Sequence, residues 1–450
     1  MPSFFIQNFG CRVNQAEAFD WAEAFRAEGF QLEPDWRRSD LILVNSCTLT
    51  SRADRDVRSF IRKIGRENSR ARLVVTGCYA ERARQEVELT PRVLVVLPNS
   101  EKAGLPRRVM ALLGQDVCRR DNAAPVEDAF FRARAMLKIQ DGCDNRCTFC
   151  IIPSVRGGSS SLGENEVLAC IHDLVSRGYR EIVLAGIHLS SYGRDLRPEA
   201  SLAALLRRIE TVEGLGRVRL SSLDPRQTDD GFLGYVAGNP KICQHFHFSL
   251  QHASKRVLDK MGRAIGPDRY ESILGTLRYR SPDAALGADV IVGFPEETDE
   301  DFAALEDFLR RSPLTYFHVF SYSPRDGTPA ALKPQTPEFI KRARSSALRR
   351  LSAEKSFRFR QSFTGRELDA IVIRSSNGRK GHDDEEGERR DPSGGRPGAA
   401  DAVSRRPEVL TDNYVRVFVP SSAAPERESV RVRITRVLPR STEGVIAPGV

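Results

Sequence analysis

A chain of 450 residues has room for about two to four domains. Its 40% hydrophobic fraction supports packed cores. No apolar run approaches the roughly 18 residues of a membrane span, and the opening MPSFFIQNFG lacks the pattern of a signal peptide, so a cytoplasmic protein with no membrane partner is expected. Nine cysteines are too few for a disulfide scaffold, and an odd number cannot all pair; in a reducing compartment clustered thiols point to metal ligands or catalysis. The formal net charge is +9, from 69 basic against 60 acidic residues.

Residues 1–125 alternate strand-like and helix-like runs. The strand candidates are SFFIQ (3–7), DLILVN (40–45), RLVVT (72–76) and RVLVVL (92–97), each followed by a charged helical stretch. That alternation predicts a parallel α/β sheet. Cys11, Cys47 and Cys78 each follow one of the first three strands. In a parallel sheet such loops gather at the carboxyl edge of the strands, so three cysteines remote in sequence are expected to be neighbours in space. Taken singly, each reads equally well as a small buried hydrophobe.

Residues 134–330 repeat the alternation six times, with strands MLKIQD (136–141), EIVLAG (181–186), RVRLSS (217–222), HFHFSL (245–250), GADVIVG (287–293) and YFHVFS (316–321). Helical runs at 163–177, 201–212, 268–280 and 299–311 separate them. Six βα units are too few for the usual eight-fold barrel, so an open, partial (βα)6 barrel is predicted. Residues 333–366 read as a basic helix, with Thr336 as its cap and Pro337 at its first position. Its ten Lys and Arg stand against Glu338 and Glu354 only, a block that suits RNA or a solvated helix face. Then LDAIVIR, VLTDNYVRVFVP and SVRVRITRVL predict a small antiparallel β domain. They are interrupted by 375–407, which has six Gly, three Pro and seven charges of each sign and is expected to be a disordered insertion.

The run LKIQDGCDNRCTFCIIP places Cys143, Cys147 and Cys150 directly after the first barrel strand. Three thiolates on a short loop can hold three irons of a 4Fe–4S cluster and leave the fourth iron open to a substrate. A zinc site is the alternative; it wants a fourth ligand at finger-like spacing, and no Cys or His follows until Cys170 and His172.

The spacing Cys-x3-Cys-x2-Cys, with Phe149 before the last cysteine, resembles the radical S-adenosylmethionine superfamily. That resemblance implies a cluster that binds S-adenosylmethionine and cleaves it to a 5′-deoxyadenosyl radical. It also implies contacts to S-adenosylmethionine from Phe149, Gly186, Ser222 beside Ser221, and Gly293. The stretches FGCRVNQAE, LVNSCTLTSRAD and VVTGCYAE resemble the N-terminal domain of the methylthiotransferases, and the C-terminal β region resembles the TRAM RNA-binding module.

These likenesses imply three domains: 1–125 with an auxiliary 4Fe–4S cluster on Cys11, Cys47 and Cys78, 130–362 as the radical core with the basic helix, and 365–440 as the TRAM-like domain. They imply two 4Fe–4S clusters and S-adenosylmethionine as cofactors. The implied partners are the anticodon stem-loop of a tRNA, a low-potential electron donor such as flavodoxin or ferredoxin and a sulfur donor, with the chain a monomer. FGCRVNQAE, DGCDNRCTFCIIPSVRG, AGIHLSSYG and LTDNYVRVFV are most similar to the branch that methylthiolates N6-threonylcarbamoyladenosine of tRNA. The isopentenyladenosine and ribosomal protein S12 aspartate branches are the alternatives. Two departures bear on substrate: Arg156-Gly157 is followed by Gly158 and Ser159–Ser161, and Leu250-Gln251 by His252-Ala253. Cys118, Cys170 and Cys243 read as structural thiols. His188, His245, His247 and His318 stay open between core and lumen, and no general base is assigned.

Overall fold

A computed structural model describes residues 2–114, 134–374, 406–420 and 429–447. They divide into two compact units.

The first unit comprises the described residues of 1–128 together with 141–159 and 323–331. Its five strands are β1 (Ser3–Asn8), β2 (Gln31–Leu32), β3 (Leu41–Ser46), β4 (Arg72–Gly77) and β5 (Val93–Leu97), all parallel in the order β2-β1-β3-β4-β5. Helices α1 (Arg12–Ala27), α2 (Ser51–Glu67), α3 (Cys78–Arg82), α4 (Arg84–Glu88), α5 (Leu105–Leu112) and α6 (Ile152–Arg156) surround it. β3 is buried at every position, which is why it reads as an unbroken apolar run and not as an alternating one. Thr50 starts α2 by accepting a hydrogen bond from the Ala53 amide. The helix then sets Val57, Ile61 and Ile64 among Ile42, Val44 and Val75, each such side chain contributing about 1.5–3 kcal/mol of burial. The four expected strands are present to within about a residue at each end. β2 is an addition to them, because two residues at a sheet edge carry no periodicity.

The second unit begins with β6 (Arg134–Asp141), whose last residue already belongs to the first unit, and continues through β7 (Ser160–Ser161), β8 (Glu181–Gly186), β9 (Arg217–Leu220), β10 (His245–Gln251), β11 (Ala285–Val292) and β12 (Tyr316–Ser321). The orders β7-β6-β8-β9 and β10-β11-β12 are linked by a parallel bridge from Leu223 to Phe248, with the Leu223 amide donating to the His247 carbonyl at 2.8 Å. Six parallel strands in chain order form the expected partial barrel. Its helices are α7 (Glu164–Ser176), α8 (Leu202–Ile209), α9 (Asp230–Gly238), α10 (Lys255–Lys260), α11 (Pro267–Arg280), α12 (Asp299–Arg311) and α13 (Glu338–Gln361). The start of α13 differs from expectation. Pro337 occupies the cap position in an extended conformation, and the Thr336 hydroxyl donates to the Phe294 carbonyl at 3.1 Å instead of capping the helix. The residue before a proline is pushed out of helical geometry, so the hydroxyl finds a carbonyl on a neighbouring loop.

A closed five-stranded barrel follows: β13 (Glu367–Arg374), β14 (Glu408–Thr411), β15 (Arg416–Phe418), β16 (Ser429–Val437) and β17 (Thr442–Ile446), in the order β13-β14-β15-β17-β16. Pairing is antiparallel except between β15 and β17. β17 closes the barrel and lies beyond the β segments that the sequence suggests. Val372, Val409, Val417, Val432 and Ile434 fill the interior. The β14–β15 turn is held to β8 and β9 by fully buried Arg219, which pairs with Glu181 at 2.8 Å and donates to the Thr411 and Asp412 carbonyls. Of the expected insertion 375–407, all but Arg406 and Pro407 lies outside the described residues.

Candidate functional site

β1, β3 and β4 deliver their cysteines to one edge of the first unit's sheet. Cys47 follows the last residue of β3 and Cys78 the last residue of β4, where it opens α3; Cys11 stands before α1. Cys47 and Cys78 are buried and Cys11 half-buried. Gly10 shows how closely the loops approach: its φ is +110°, and a Cβ there would lie 2.7 Å from the Cys47 Cβ. Burial pushes the Cys47 thiol up to about 12, and Cys78 and Cys11 add to that rise. Cys11 is also raised, by burial first. Burial thus holds Cys47 and Cys11 in the thiol form, and binding a metal there must displace their protons.

Side chains that the sequence did not link to these three cysteines knit this edge together. Asn14 Oδ1 accepts from the Cys11 thiol at 3.5 Å and from Arg156 at 2.6 Å, and its Nδ2 donates to the Ser46 carbonyl beside Cys47 at 3.1 Å. Arg156 ends α6, and its side chain is 1% exposed. Its Nε donates to Cys78 Sγ at 3.2 Å, while Nη1 reaches Asp141 at 2.7 Å and Glu17 at 3.2 Å. Burial opposes the Arg156 charge, but Cys78, Glu17, Asp141 and Cys11 outweigh it and hold its pKa well above the ordinary value. Glu17 also takes Lys102 Nζ at 2.6 Å and Asn45 Nδ2 at 3.0 Å. Burial lowers Lys102, and Glu17 restores part of the loss. The signal that could have found this set is on α1, where Asn14 and Glu17 lie on the stripe that also buries Trp21. A polar pair on a buried face implies partners.

Cys143, Cys147 and Cys150 lie in the same unit, on the loop between β6 and α6. All three are half-buried. The Cys150 amide donates to the Cys147 carbonyl and the Cys143 amide to the Gly157 carbonyl, each at 3.1 Å, so the loop folds back on its own end. Gly142, at φ +66°, lies against the Gly158 carbonyl, where a side chain would collide. The Thr148 carbonyl accepts from the Ala330 amide at 2.9 Å. Segment 323–331 is itself pinned by Arg325, which binds Asp54 at 2.7 Å. α6 sets Ile151 and Val155 against Cys78. The compact trio and the scattered trio are therefore neighbours, joined by the short helix that leads from one loop to Arg156.

The remaining sequence candidates fall as follows. Phe149 is half-buried on the cysteine loop. The Gly186 amide donates to the Ser221 hydroxyl at 3.3 Å. Ser222 Oγ is 3.2 Å from His247 Nδ1. Gly293 packs against the Lys341 stem. His252 is fully buried, accepts the Ser254 amide on Nδ1 at 2.9 Å, and burial drives its pKa down to about 3. It is absorbed into the start of α10. His188 pairs with Asp224 at 3.3 Å, and His245 stacks on Tyr414 at 4.1 Å. Cys243 is buried and Cys170 exposed; Cys118 lies outside the described residues. Much of the basic block is engaged in packing. Arg344 binds Glu297 at 2.6 Å, Lys355 donates to the Arg310 and Ser312 carbonyls, Arg360 to the Leu438 and Ser441 carbonyls, and Lys341 is buried. Among the described residues no helix is long and apolar enough to cross a membrane.

The same cysteine-bearing segments fall within regions shared with known proteins. Residues 3–97 match the uncharacterized protein family UPF0004, and residues 137–309 match the radical SAM superfamily. The chain is 34% identical to the threonylcarbamoyladenosine tRNA methylthiotransferase MtaB of Aquifex aeolicus, over 82% of this chain and 92% of that protein. It is 35% identical to the protein of that name from Thermotoga maritima, over 83% and 87%. A tRNA-2-methylthio-N(6)-dimethylallyladenosine synthase of Carboxydothermus hydrogenoformans is 33% identical over 77% and 82%. Among solved structures, the radical S-adenosylmethionine methyltransferase TsrM of Kitasatospora setae superposes with a TM-score of 0.53 at 16% identity, covering 73% of this chain and 75% of that one; this likeness concerns the fold alone.

Proposed function

This chain belongs to the radical S-adenosylmethionine methylthiotransferases that act on tRNA, and from that premise we propose that it converts N6-threonylcarbamoyladenosine beside the anticodon to its 2-methylthio derivative. The cofactors of such an enzyme are S-adenosylmethionine and two 4Fe–4S clusters. In this reading Cys143, Cys147 and Cys150 hold the cluster that binds S-adenosylmethionine, and Cys11, Cys47 and Cys78 hold the auxiliary one. The donor sets fit: each offers three thiols, leaving one iron of a cubane for a non-protein ligand. When bound, these groups supply an electron, a carbon-directed radical and a sulfur carrier.

The chain's own residues do the rest. Arg156 donates to Cys78 Sγ and fixes the position of that sulfur. Asn14 orients Cys11 and the Arg156 fork together. Glu17, Asp141 and Lys102 balance the guanidinium charge, so the buried edge carries no unpaired ion. Phe149, Gly186, Ser222 and Gly293 are proposed contacts to S-adenosylmethionine, and the five-stranded barrel is proposed to bind the RNA. A low-potential flavodoxin or ferredoxin, a sulfur donor, a monomeric state and a cytoplasmic location complete the reading.

The observation that supports it most is the convergence of Cys11, Cys47 and Cys78 around Arg156 and Asn14, beside the compact cysteine loop. Nucleoside mass spectrometry of tRNA from a deletion strain tests it. The expected result is loss of 2-methylthio-N6-threonylcarbamoyladenosine and its return on complementation. Loss of the dimethylallyl derivative would favour the second reading, which the 33% identical synthase supports. Unchanged tRNA nucleosides with an unmodified S12 would move the chain to the protein-modifying branch.

A further inference from the structure

In the second unit, β10, β11 and β12 carry His247, Asp289 and His318 on one face of their sheet. The face is set by alternation. Pairing of β10 with β11 sets His247 beside Gly287, two residues before Asp289 and so on the same face. Pairing of β11 with β12 sets Asp289 directly beside His318.

We propose that His247, Asp289 and His318 form a binding site for one divalent transition-metal ion. Their ligand atoms all lie within 4.8 Å of one another. His318 Nδ1 is 3.1 Å and His247 Nε2 3.6 Å from the same Asp289 oxygen. Two ligands of one ion with bonds near 2.0–2.1 Å sit roughly 3.0–3.4 Å apart, from octahedral to tetrahedral geometry, so both imidazole–carboxylate separations are close to ligand spacing, and the two imidazoles, within 4.8 Å of each other, would close around the ion. The Asp289 carboxylate thus stands between the two rings, bonded to His318 and within ion-pair reach of His247. His247 also has the outer partner expected of a ligand: its Nδ1 lies 3.2 Å from Ser222 Oγ, which orients the ring and directs Nε2 toward Asp289. Two imidazoles and one carboxylate match a site that takes zinc or ferrous iron and keeps positions open for oxygen ligands. His247 is buried while Asp289 and His318 are partly exposed, so the triad is anchored on one side and open on the other.

Zinc titration of the reconstituted holoenzyme tests the site, because there the cluster thiols are already occupied. Anaerobic dialysis against Zn2+ followed by metal counting is expected to find one zinc per chain beyond the iron. Affinity should fall at least tenfold in Asp289→Asn and in His318→Gln, with iron content and melting temperature retained. Absence of a stoichiometric zinc, or zinc that persists in both variants, overturns the proposal. X-ray absorption at the zinc edge of the wild-type protein tests the ligand set without variants: a nitrogen and oxygen shell supports the triad, and a sulfur shell near 2.3 Å overturns it.

Discussion

The two cysteine trios share one unit of the molecule and are built in opposite ways. Cys143, Cys147 and Cys150 are held by one short loop whose amides bond to carbonyls within it and just past the helix that follows, and the thiols are half-buried. Cys11, Cys47 and Cys78 come from three strand ends and are gathered by the sheet, with Asn14, Glu17, Lys102 and Arg156 filling the space behind them. A local loop needs little from the rest of the fold to present three ligands. A trio drawn from separate strands exists only if the sheet register, the buried charges and the close approach at Gly10 are all correct. The second centre should therefore be the more sensitive to substitutions that touch no cysteine.

The largest expected effect separates the trios by chemistry. Replacing Cys143, Cys147 and Cys150 by alanine should abolish 5′-deoxyadenosine release in the presence of dithionite. Iron should fall from about eight to about four per chain. Replacing Cys11, Cys47 and Cys78 should cost the same iron, leave 5′-deoxyadenosine release intact, and eliminate the methylthio product. Equal loss of 5′-deoxyadenosine in both triples would end the division of labour.

Arg156→Met comes next. Removing one partner of a buried ionic network costs about 3–5 kcal/mol, and here it strands Asp141 and leaves Glu17 to Lys102 and Asn45. Chemical denaturation should show that loss, with auxiliary iron lost before the iron of the loop and partial rescue by Arg156→Lys. Gly10→Ala should follow at about 1–3 kcal/mol, from a positive φ and overpacking against Cys47, again with selective loss of auxiliary iron. The smallest effect is expected for Cys170→Ser, which is exposed. Its stability should change by no more than about 0.5 kcal/mol, and iron counting should show both clusters intact.

The basic block teaches a related point about charge. Ten basic residues in 333–366 read equally well as an RNA surface or as a solvated face. In the fold, Lys341 and Arg344 are buried, and Lys355 and Arg360 spend their donors on backbone carbonyls. Net charge in a segment does not reveal which side chains reach solvent, because long basic side chains can bridge neighbouring elements as readily as they face water.

Period and spacing alone determined the alternating strands of the N-terminal sheet, the six βα repeats of the partial barrel and the compact cysteine loop. These are local properties: strand and helix periodicities differ, and a short loop carries its own geometry. Sequence also pointed to the gathering of Cys11, Cys47 and Cys78, since parallel strands send their following loops to one edge. What only the tertiary structure decided is which polar groups stand behind those thiols. Arg156 lies 78 positions from Cys78 and 142 from Asn14; the Arg156-Gly157 pair stands out in sequence, but burial created both its cost and its partners. The same holds for β2 and β17, too short to show a period, for Thr336, whose hydroxyl found Phe294 and not its own helix, and for His247, Asp289 and His318, which become one cluster only because three parallel strands align in register.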